Sequence, residues 1–382
     1  MVIPENWAKK QLSDIVAMKS GETITSERIF DNAEYPCYGG NGLRGYTDKY
    51  THEGEFALVG RQGALCGNVN YANGRFYASE HAVVVTPYNN TDIRFMYYLL
   101  TAMNLNQYAT SSAQPGLAVN KILELECVVP ESKAEQKLIA QALSDIDNLI
   151  STQEALIAKK QAIKQGAMQE LLTEKRRLAG FREKWNRVTL GDIGGLYKGS
   201  GISRADMGTG DIAAIRYGEL YTFYGAYTHE INTRISAEVA EEAFGLQYGD
   251  IVFAGSGETH EEIGKCTAYV LDEKAYAGGD TIILRPNVKC HSVYLGYLLN
   301  TSQVQEQKAA LGQGDAVVHI SAKSLSTIEV ELPKYEEQVA IGEMLLDIDN
   351  DIANQQAKLE KLRRIKSGMM DKLLTGKIRL TD

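Results

Sequence analysis

Cysteine is scarce in this 382-residue chain: Cys37, Cys66, Cys127, Cys266 and Cys290 are odd in number, widely spaced and form no CxxC. That spacing excludes a disulfide framework and a zinc ribbon, and leaves reduced thiols acting as small buried hydrophobes in a cytoplasmic protein. Six scattered histidines supply no metal cluster. No apolar run approaches the ~18–20 residues of a membrane span. The start, MVIPENWAKK, puts Pro4 and charges where a signal peptide needs an apolar stretch, so export is not expected. Basic residues are also short: 40 against 49 acidic, a net charge of −9, which argues against a chain that coats nucleic acid or membrane unaided. With 44% hydrophobic and 23% charged residues the composition is globular, and the length implies two or three domains.

Catalytic signatures are missing too. GGNGLRG holds a formal GxGxxG from Gly40 to Gly45, but EYPCY precedes it and YTDKYTHEGE follows, so the strand and helix of a dinucleotide site are absent. GSGETHEEIGK, from Gly255 to Lys265, has the glycines and lysine of a phosphate loop at the wrong spacing. His260-Glu261-Glu262 lacks the second histidine of a zincin. Neither a glycine-rich methyl-donor loop nor an Asn/Asp-Pro-Pro-Tyr/Phe motif occurs, and together these absences argue against an enzyme.

What is present is a duplication. The 44 residues from Glu135 align without a gap on those from Glu337, and 22 pairs are identical, including Asp145-Ile146-Asp147-Asn148 with Asp347-Ile348-Asp349-Asn350. A proline precedes each copy, Pro130 and Pro333, where a non-helical approach leads into a helix start. Weaker echoes lie upstream. Trp7 with Leu12–Ile15 answers Trp185 with Leu190–Ile193, EGEFALVG answers YGDIVFAG, and YASEHAVVVTP answers YAGGDTIILRP. The order is variable domain 1–130, repeated helix 131–181, variable domain 182–333, repeated helix 334–382.

Both repeats are rich in helix formers, and no proline falls between about Ala134 and Thr173. Apolar residues recur at steps of three and four: Ile139, Leu143, Ile146, Ile150, Gln153, Ile157 and Leu171, with Lys160 and Lys164 as lapses. The second copy gives Ile341, Leu345, Ile348, Ile352, Gln355, Leu359, Leu362, Met369 and Leu373. This is the seam of a coiled coil, and about 40 helical residues span roughly 60 Å. The expectation is that the two helices pair within the chain as a rigid spacer, Gln153 meeting Gln355 near a pseudo-two-fold axis. Antiparallel pairing is preferred because it carries the variable domains to opposite ends.

The variable domains read as mixed α/β, so the class is α+β. Apolar runs at Phe56–Val59, Ala82–Thr86, Ile251–Ala254 and Thr281–Leu284 predict strands between glycine-rich turns, and helices are expected at Ile93–Leu105 and Ser292–Leu311. Many of the 21 tyrosines fall in those loops, a residue with a flat face and a polar tip suited to polar partners.

The twice-repeated layout of Pro, EQ, IDN helix and LLT–K–R–L ending resembles the specificity subunits of type I restriction–modification systems. IPENW with LSDI and GFREKW with LGDI look like that family's paired domain starts. YPCYGGNGLRGY, GRQGALCGNV and HAVVV are similar to one class of its target-recognition domains. The resemblance implies a non-catalytic subunit whose two target-recognition domains each read half of a bipartite site in double-stranded DNA, with the helices as a ruler. It also implies two methyltransferase subunits that methylate adenine and two restriction–translocase subunits, with S-adenosylmethionine, ATP and magnesium bound in those partners and no cofactor in this chain. The same plan serves related systems in which methylase and nuclease are fused.

Base readout needs planar or forked polar side chains on loops. In the first domain Asn41, Arg44, Tyr46, Arg61 and Gln62 meet that need beside Gly39, Gly40, Gly42, Gly45 and Gly63; in the second, Lys198, Arg204, Arg216, Tyr217, Ser256 and Thr259 do. The region charges are −3 for 1–130, +1 for 131–181, −7 for 182–333 and 0 for 334–382. Partners are therefore expected to supply much of the phosphate neutralisation. The alternative is a coiled-coil adaptor whose end domains bind proteins or sugars; co-purification with a methyltransferase separates the two.

Overall fold

The computed structural model describes residues 3–110 and 115–380, which form two compact units: 1–155 with 357–382, and 156–356. The first unit begins with β1 (Trp7–Gln11), β2 (Val16–Ser20), β3 (Tyr35–Gly39), β4 (Gly42–Thr47), β5 (His52–Gly60), β6 (Val69–Ala78) and β7 (Ala82–Pro87). There follow α1 (Ile93–Ala102), α2 (Val119–Leu123), β8 (Glu126–Pro130) and the start of α3 (Lys133–Leu171). A six-stranded sheet runs β2-β7-β5-β6-β3-β4, and β1 pairs with β8. β3 pairs parallel with β6 and the other pairings are antiparallel.

The run Ala82–Val85 is apolar throughout because both sheet faces are covered. Val83 and Val85 join Ala57, Val59 and α1 in one core, while Ala82 and Val84 join Leu58 and Phe76 in another. α1 starts where the Asp92 carboxylate accepts from the Arg94 and Phe95 amides. It stops at Ala102, before the expected Leu105, because Asn104 adopts a left-handed conformation (φ 48°) that ends a helix.

The second unit contains β9 (Asn186–Thr189), α4 (Leu190–Ile193), β10 (Gly194–Lys198), β11 (Ile212–Ile215), α5 (Tyr217–Thr222), β12 (Thr233–Ile235), α6 (Ala237–Glu242) and β13 (Phe244–Gly245). It continues through β14 (Ile251–Ala254), β15 (Ser256–Gly257), β16 (Cys266–Ala268), β17 (Ala275–Ala277) and β18 (Thr281–Pro286). Last come α7 (Ser292–Leu298), α8 (Ser302–Leu311), β19 (Val318–His319), α9 (Ala322–Ser326), β20 (Glu329–Leu332) and α10 (Tyr335–Leu373). α7 and α8 replace the single helix expected over Ser292–Leu311. Asn300 interrupts it by donating its side-chain amide to the Cys266 and Gly296 carbonyls and accepting from the Cys266 amide.

The sheet order β10-β18-β14-β16 repeats β2-β7-β5-β6 strand for strand, and β9 with β20 repeats β1 with β8. EGEFALVG with YGDIVFAG and YASEHAVVVTP with YAGGDTIILRP fall on these shared strands, whereas Leu12–Ile15 and Leu190–Ile193 form a short helical turn after the first strand of each unit. The units differ in what they add. The first extends its sheet with β3 and β4, whereas the second builds a separate sheet, β12-β11-β17-β13.

Each unit also holds two helix halves running in opposite directions. In the first, Asp147 pairs with Lys366 and Glu154 with Arg363, while Ile139 and Leu143 share a core with Leu373. In the second, Lys160 pairs with Asp351, Lys164 with Asp349 and Arg177 with Glu337, while Leu171 shares a core with Ile341 and Leu345. The pairing is antiparallel within each unit. Of the seam residues, Ile139, Leu143, Ile146, Gln153, Ile157, Leu171, Ile341, Leu345, Ile352, Leu359 and Leu373 are buried. Ile150, Ile348, Gln355, Leu362 and Met369 are half-buried. Gln355 donates its amide to Asp351 at 3.0 Å. The two seam lapses, Lys160 and Lys164, are the cations of the second unit's helix pair.

Candidate nucleic-acid interface

In the first unit the β3–β4 hairpin reverses over Gly40 and Asn41, since Gly39 pairs with Gly42. Gly42 has φ +90°, a conformation that favours glycine. The turn lies hard against the end of β5: a Cβ on Gly60 would stand 2.0 Å from the Gly40 carbonyl oxygen. That close approach joins two loops far apart in sequence into one concave polar surface of about 480 Å3, lined by Asn41, Arg44, Gln62 and His81 among the glycines. Asn41, Arg44 and Gln62 are exposed, so two carboxamides and a guanidinium face solvent together.

Arg61 and Tyr46 do not line this cleft. Arg61 is half-buried and donates to Ser20 Oγ at 3.3 Å, and Tyr46 is half-buried with its backbone paired to Phe30. His81, absent from the sequence candidates, belongs to the cleft; its carbonyl accepts from the Arg61 amide and holds the second loop in place. Its position at the head of HAVVV, where a loop enters a buried strand, was the available signal.

The second unit spreads its candidates. Lys198 is exposed at the end of β10, and Arg204 is exposed in the loop before β11. Arg216 precedes α5 with its guanidinium on Met207 Sδ, and Tyr217 opens α5, half-buried against the core around Leu220. Ser256 is buried in β15 with Oγ 2.9 Å from His319 Nδ1, so its hydroxyl is engaged inside the chain. Thr259 is exposed on the loop that follows. That loop is anchored by Lys308, which is fully buried and donates to the Gly264 and Leu299 carbonyls at 2.8 and 2.9 Å. Burial brings the Lys308 pKa down to about 8.

The residues shared by the two repeats occupy one arrangement twice. Glu135 is buried and takes a bidentate pair from Arg379 (Nε 2.6 Å, Nη2 2.8 Å), whose guanidinium lies over Trp7. Glu337 takes the same pair from Arg177 (2.7 and 2.6 Å), which lies over Trp185. Gln136 reaches the Pro130 carbonyl and the Asp92 amide, and Gln338 the Pro333 carbonyl and the His291 amide. Asp147 accepts from Tyr98 and Lys366; Asp349 accepts from Tyr297 and Lys164. In each unit the acidic partner comes from one repeat and the basic partner from the other. Identity between the copies follows, since each must fit its counterpart.

The cysteines are free, with Cys37, Cys66, Cys127 and Cys266 buried. Burial holds the Cys127 thiol up at about 12 and Cys266 at about 11, which keeps both protonated and poorly nucleophilic. Among the described residues no group of three or more His, Cys, Asp or Glu side chains could hold a metal ion, and no helix is long and apolar enough to cross a membrane.

A scaffold repeated in two units, each with its own loops and its own antiparallel pair of helix halves, defines a class of duplicated proteins, and comparison with known sequences places this one. The type I restriction modification DNA specificity domain matches residues 4–164 and again 182–364. The chain belongs to that family, whose members are the DNA-specificity subunits of type I restriction–modification systems. The EcoprrI specificity subunit of Escherichia coli is 49% identical over 148 residues, which is 38% of this chain and 37% of that subunit. A putative type I specificity subunit of Haemophilus influenzae, S.HindORF215P, is 24% identical over 341 residues, covering 88% of this chain and 85% of its own. The crystal structure of the S subunit from M. genitalium shares the fold over 96% of both chains, with TM-score 0.67 at 19% identity.

Proposed function

We propose that residues 1–130 and 182–333 are two target-recognition domains, each reading one half of a bipartite site in double-stranded DNA. Residues 131–181 and 334–382 form the spacer that sets the distance between the halves. The observation that carries this reading is the repeated strand order under unlike loops: the shared scaffold holds position while each set of loops is free to read its own sequence. Each 39-residue helix is about 58 Å long at ~1.5 Å per residue, a suitable ruler.

In the first domain Asn41, Arg44 and Gln62 face the base edges. Arginine suits guanine, and asparagine or glutamine suits adenine, because their donors and acceptors match those edges in pairs. Lys198, Arg204 and Thr259 serve the second domain from its exposed loops. The chain itself performs no catalysis. Two methyltransferase subunits, which bring S-adenosylmethionine, modify adenine, and two restriction–translocase subunits bring ATP and magnesium, all in the cytoplasm.

Methylome sequencing of a host expressing this chain with its methyltransferase tests the reading. A bipartite motif with methylated adenines is expected, and replacing residues 1–130 by another variable domain should change one half-site only. An uninterrupted motif, or no chain-dependent methylation, would overturn it.

A further inference from the structure

The backbone frame around the first unit's cleft recurs in the second unit bond for bond. Gly60 pairs with Ala82 as Ala254 pairs with Thr281. The Ser79 amide donates to the Tyr38 carbonyl as the Gly278 amide does to Ile215. The Arg61 amide donates to His81 as the Gly255 amide does to Asp280, at 2.8 and 2.7 Å, and Leu117 donates to Arg61 as Ile320 does to Gly255. The matched runs YASEHAVVVTP and YAGGDTIILRP set His81 opposite Asp280 as well.

Through this frame the polar positions of the cleft have counterparts. Asn41, three residues past Tyr38, answers to Gly218, which has no side chain to offer. Gln62 answers to Ser256, which is buried with its hydroxyl on His319. Arg44 has no counterpart, because α5 replaces the β3–β4 hairpin there. His81 answers to Asp280, which is exposed, and among the described residues no hydrogen bond or ion pair engages its carboxylate. Asp280 has φ +58°, a left-handed conformation that non-glycine residues enter at a cost, and nothing lies within 4 Å of a Cβ built on its neighbour Gly279. A strained turn thus presents one free carboxylate where the first unit presents His81.

We propose that Asp280 reads a cytosine in the half-site of the second domain, accepting a hydrogen bond from the N4 amino group in the major groove. This rests on the function proposed above. A carboxylate only accepts and is repelled by phosphate, so an aspartate on this surface favours a base edge over the backbone. Guanine presents two acceptors there, thymine presents one, and the adenine amino group stands beside the N7 acceptor. Cytosine alone offers a donor with no acceptor next to it on the same base. One frame therefore carries two chemistries: forked side chains that suit purines in the first domain, and an acceptor that suits a pyrimidine in the second.

The test is methylome sequencing of a host carrying the methyltransferase with the wild-type chain, Asp280→Asn or Asp280→Gly. Asparagine and glycine both accept the left-handed backbone, so each variant should melt no lower than the wild type. The second half-site is the one that exchange of residues 1–130 leaves unchanged. In the wild type it should contain a C·G pair whose selection Asp280→Gly relaxes. Purified complex with Asp280→Gly should lose about five- to tenfold of its preference for that pair, with the first half-site and the affinity for unrelated duplexes unchanged. Asp280→Asn, which sets a donor beside the acceptor, should move the preference at the same position towards adenine. A second half-site without any C·G pair, or the wild-type motif in both variants, would overturn the role of Asp280 and leave the proposed function standing. So would a uniform change of affinity across sequences with the motif intact. A wild-type chain that directs no bipartite motif would overturn the proposed function, and the role of Asp280 with it.

Discussion

Lys308 shows how one buried charge organises a loop. Its stem runs past Gly264, where an added Cβ would stand 2.8 Å from Lys308 Cδ, and its ammonium closes on two carbonyls. Gly264 has φ +73°, so an L side chain there is strained as well as crowded. The folded-state pKa of about 8 lies below the ordinary 10.5. Between those values the unfolded chain binds more protons than the folded one, so the lysine makes stability rise as pH climbs from 8 towards 10.5. Below about 8 the penalty is complete and this pH dependence vanishes. Lys308→Met should flatten the pH 8–10 limb of a denaturation series by an amount on the order of a few kcal/mol. An unchanged slope would show that the ammonium is not desolvated. The variant should also loosen the loop carrying Thr259, read as faster amide exchange over 258–265.

At the scale of elements, the clamp ties the first turn of one long helix to the segment that follows the last turn of the other, Glu135 to Arg379 and Glu337 to Arg177. Glu135 and Glu337 are nearly buried, at 4% and 2% exposure, so removing the arginine leaves a carboxylate inside without its partner. Arg379→Ala and Arg177→Ala should each lower the melting temperature by roughly 5 °C or more. Lys377→Ala, which removes a pair with Asp371 that is more than half exposed on both sides, should shift it by less than about 1 °C. Equal small shifts for all three would deny the clamp any special weight. Strands and long helices were legible in the sequence because burial marks them, a three-and-four spacing along the helices and unbroken apolar runs in strands covered on both faces: Phe56–Val59, Ala82–Thr86, Ile251–Ala254 and Thr281–Leu284 all fall in strands. The helix break at Asn300 was not legible, because it depends on Cys266, 34 residues away. Lys160 and Lys164 looked like defects in the seam because their carboxylate partners lie in the other repeat. The cleft was half legible. Asn41, Arg44 and Gln62 stood out as polar groups among glycines, but nothing local showed that Gly60 would seat one loop on the other and bring His81 with them.

For the whole molecule, charge limits what the chain can do alone. Residues 182–333 carry 13 basic and 20 acidic side chains, and residues 1–130 carry 10 and 13. Several of the cations are already engaged: Arg285 with Asp250, Arg234 with Glu273, and Arg94 with Glu55. Each phosphate neutralised contributes a slope of about −0.9 to the logarithmic salt dependence of binding to duplex DNA, so the slope counts phosphate contacts. The isolated chain should bind random duplex DNA no more tightly than about 10 µM at physiological salt, the weak half of the non-specific range, with a shallow slope. Adding the methyltransferase should steepen the slope, because the new contacts are to phosphates, while the recognised sequence stays that set by this chain. Arg44→Ala, measured in that complex, should relax preference at one base position and leave the salt slope nearly unchanged, as a base-edge contact does; a uniform loss across sequences would make it a phosphate contact instead. Tight binding of random DNA by the chain alone would mean that its surface neutralises phosphates despite the acidic excess, and the division of labour between reader and clamp would then be wrong.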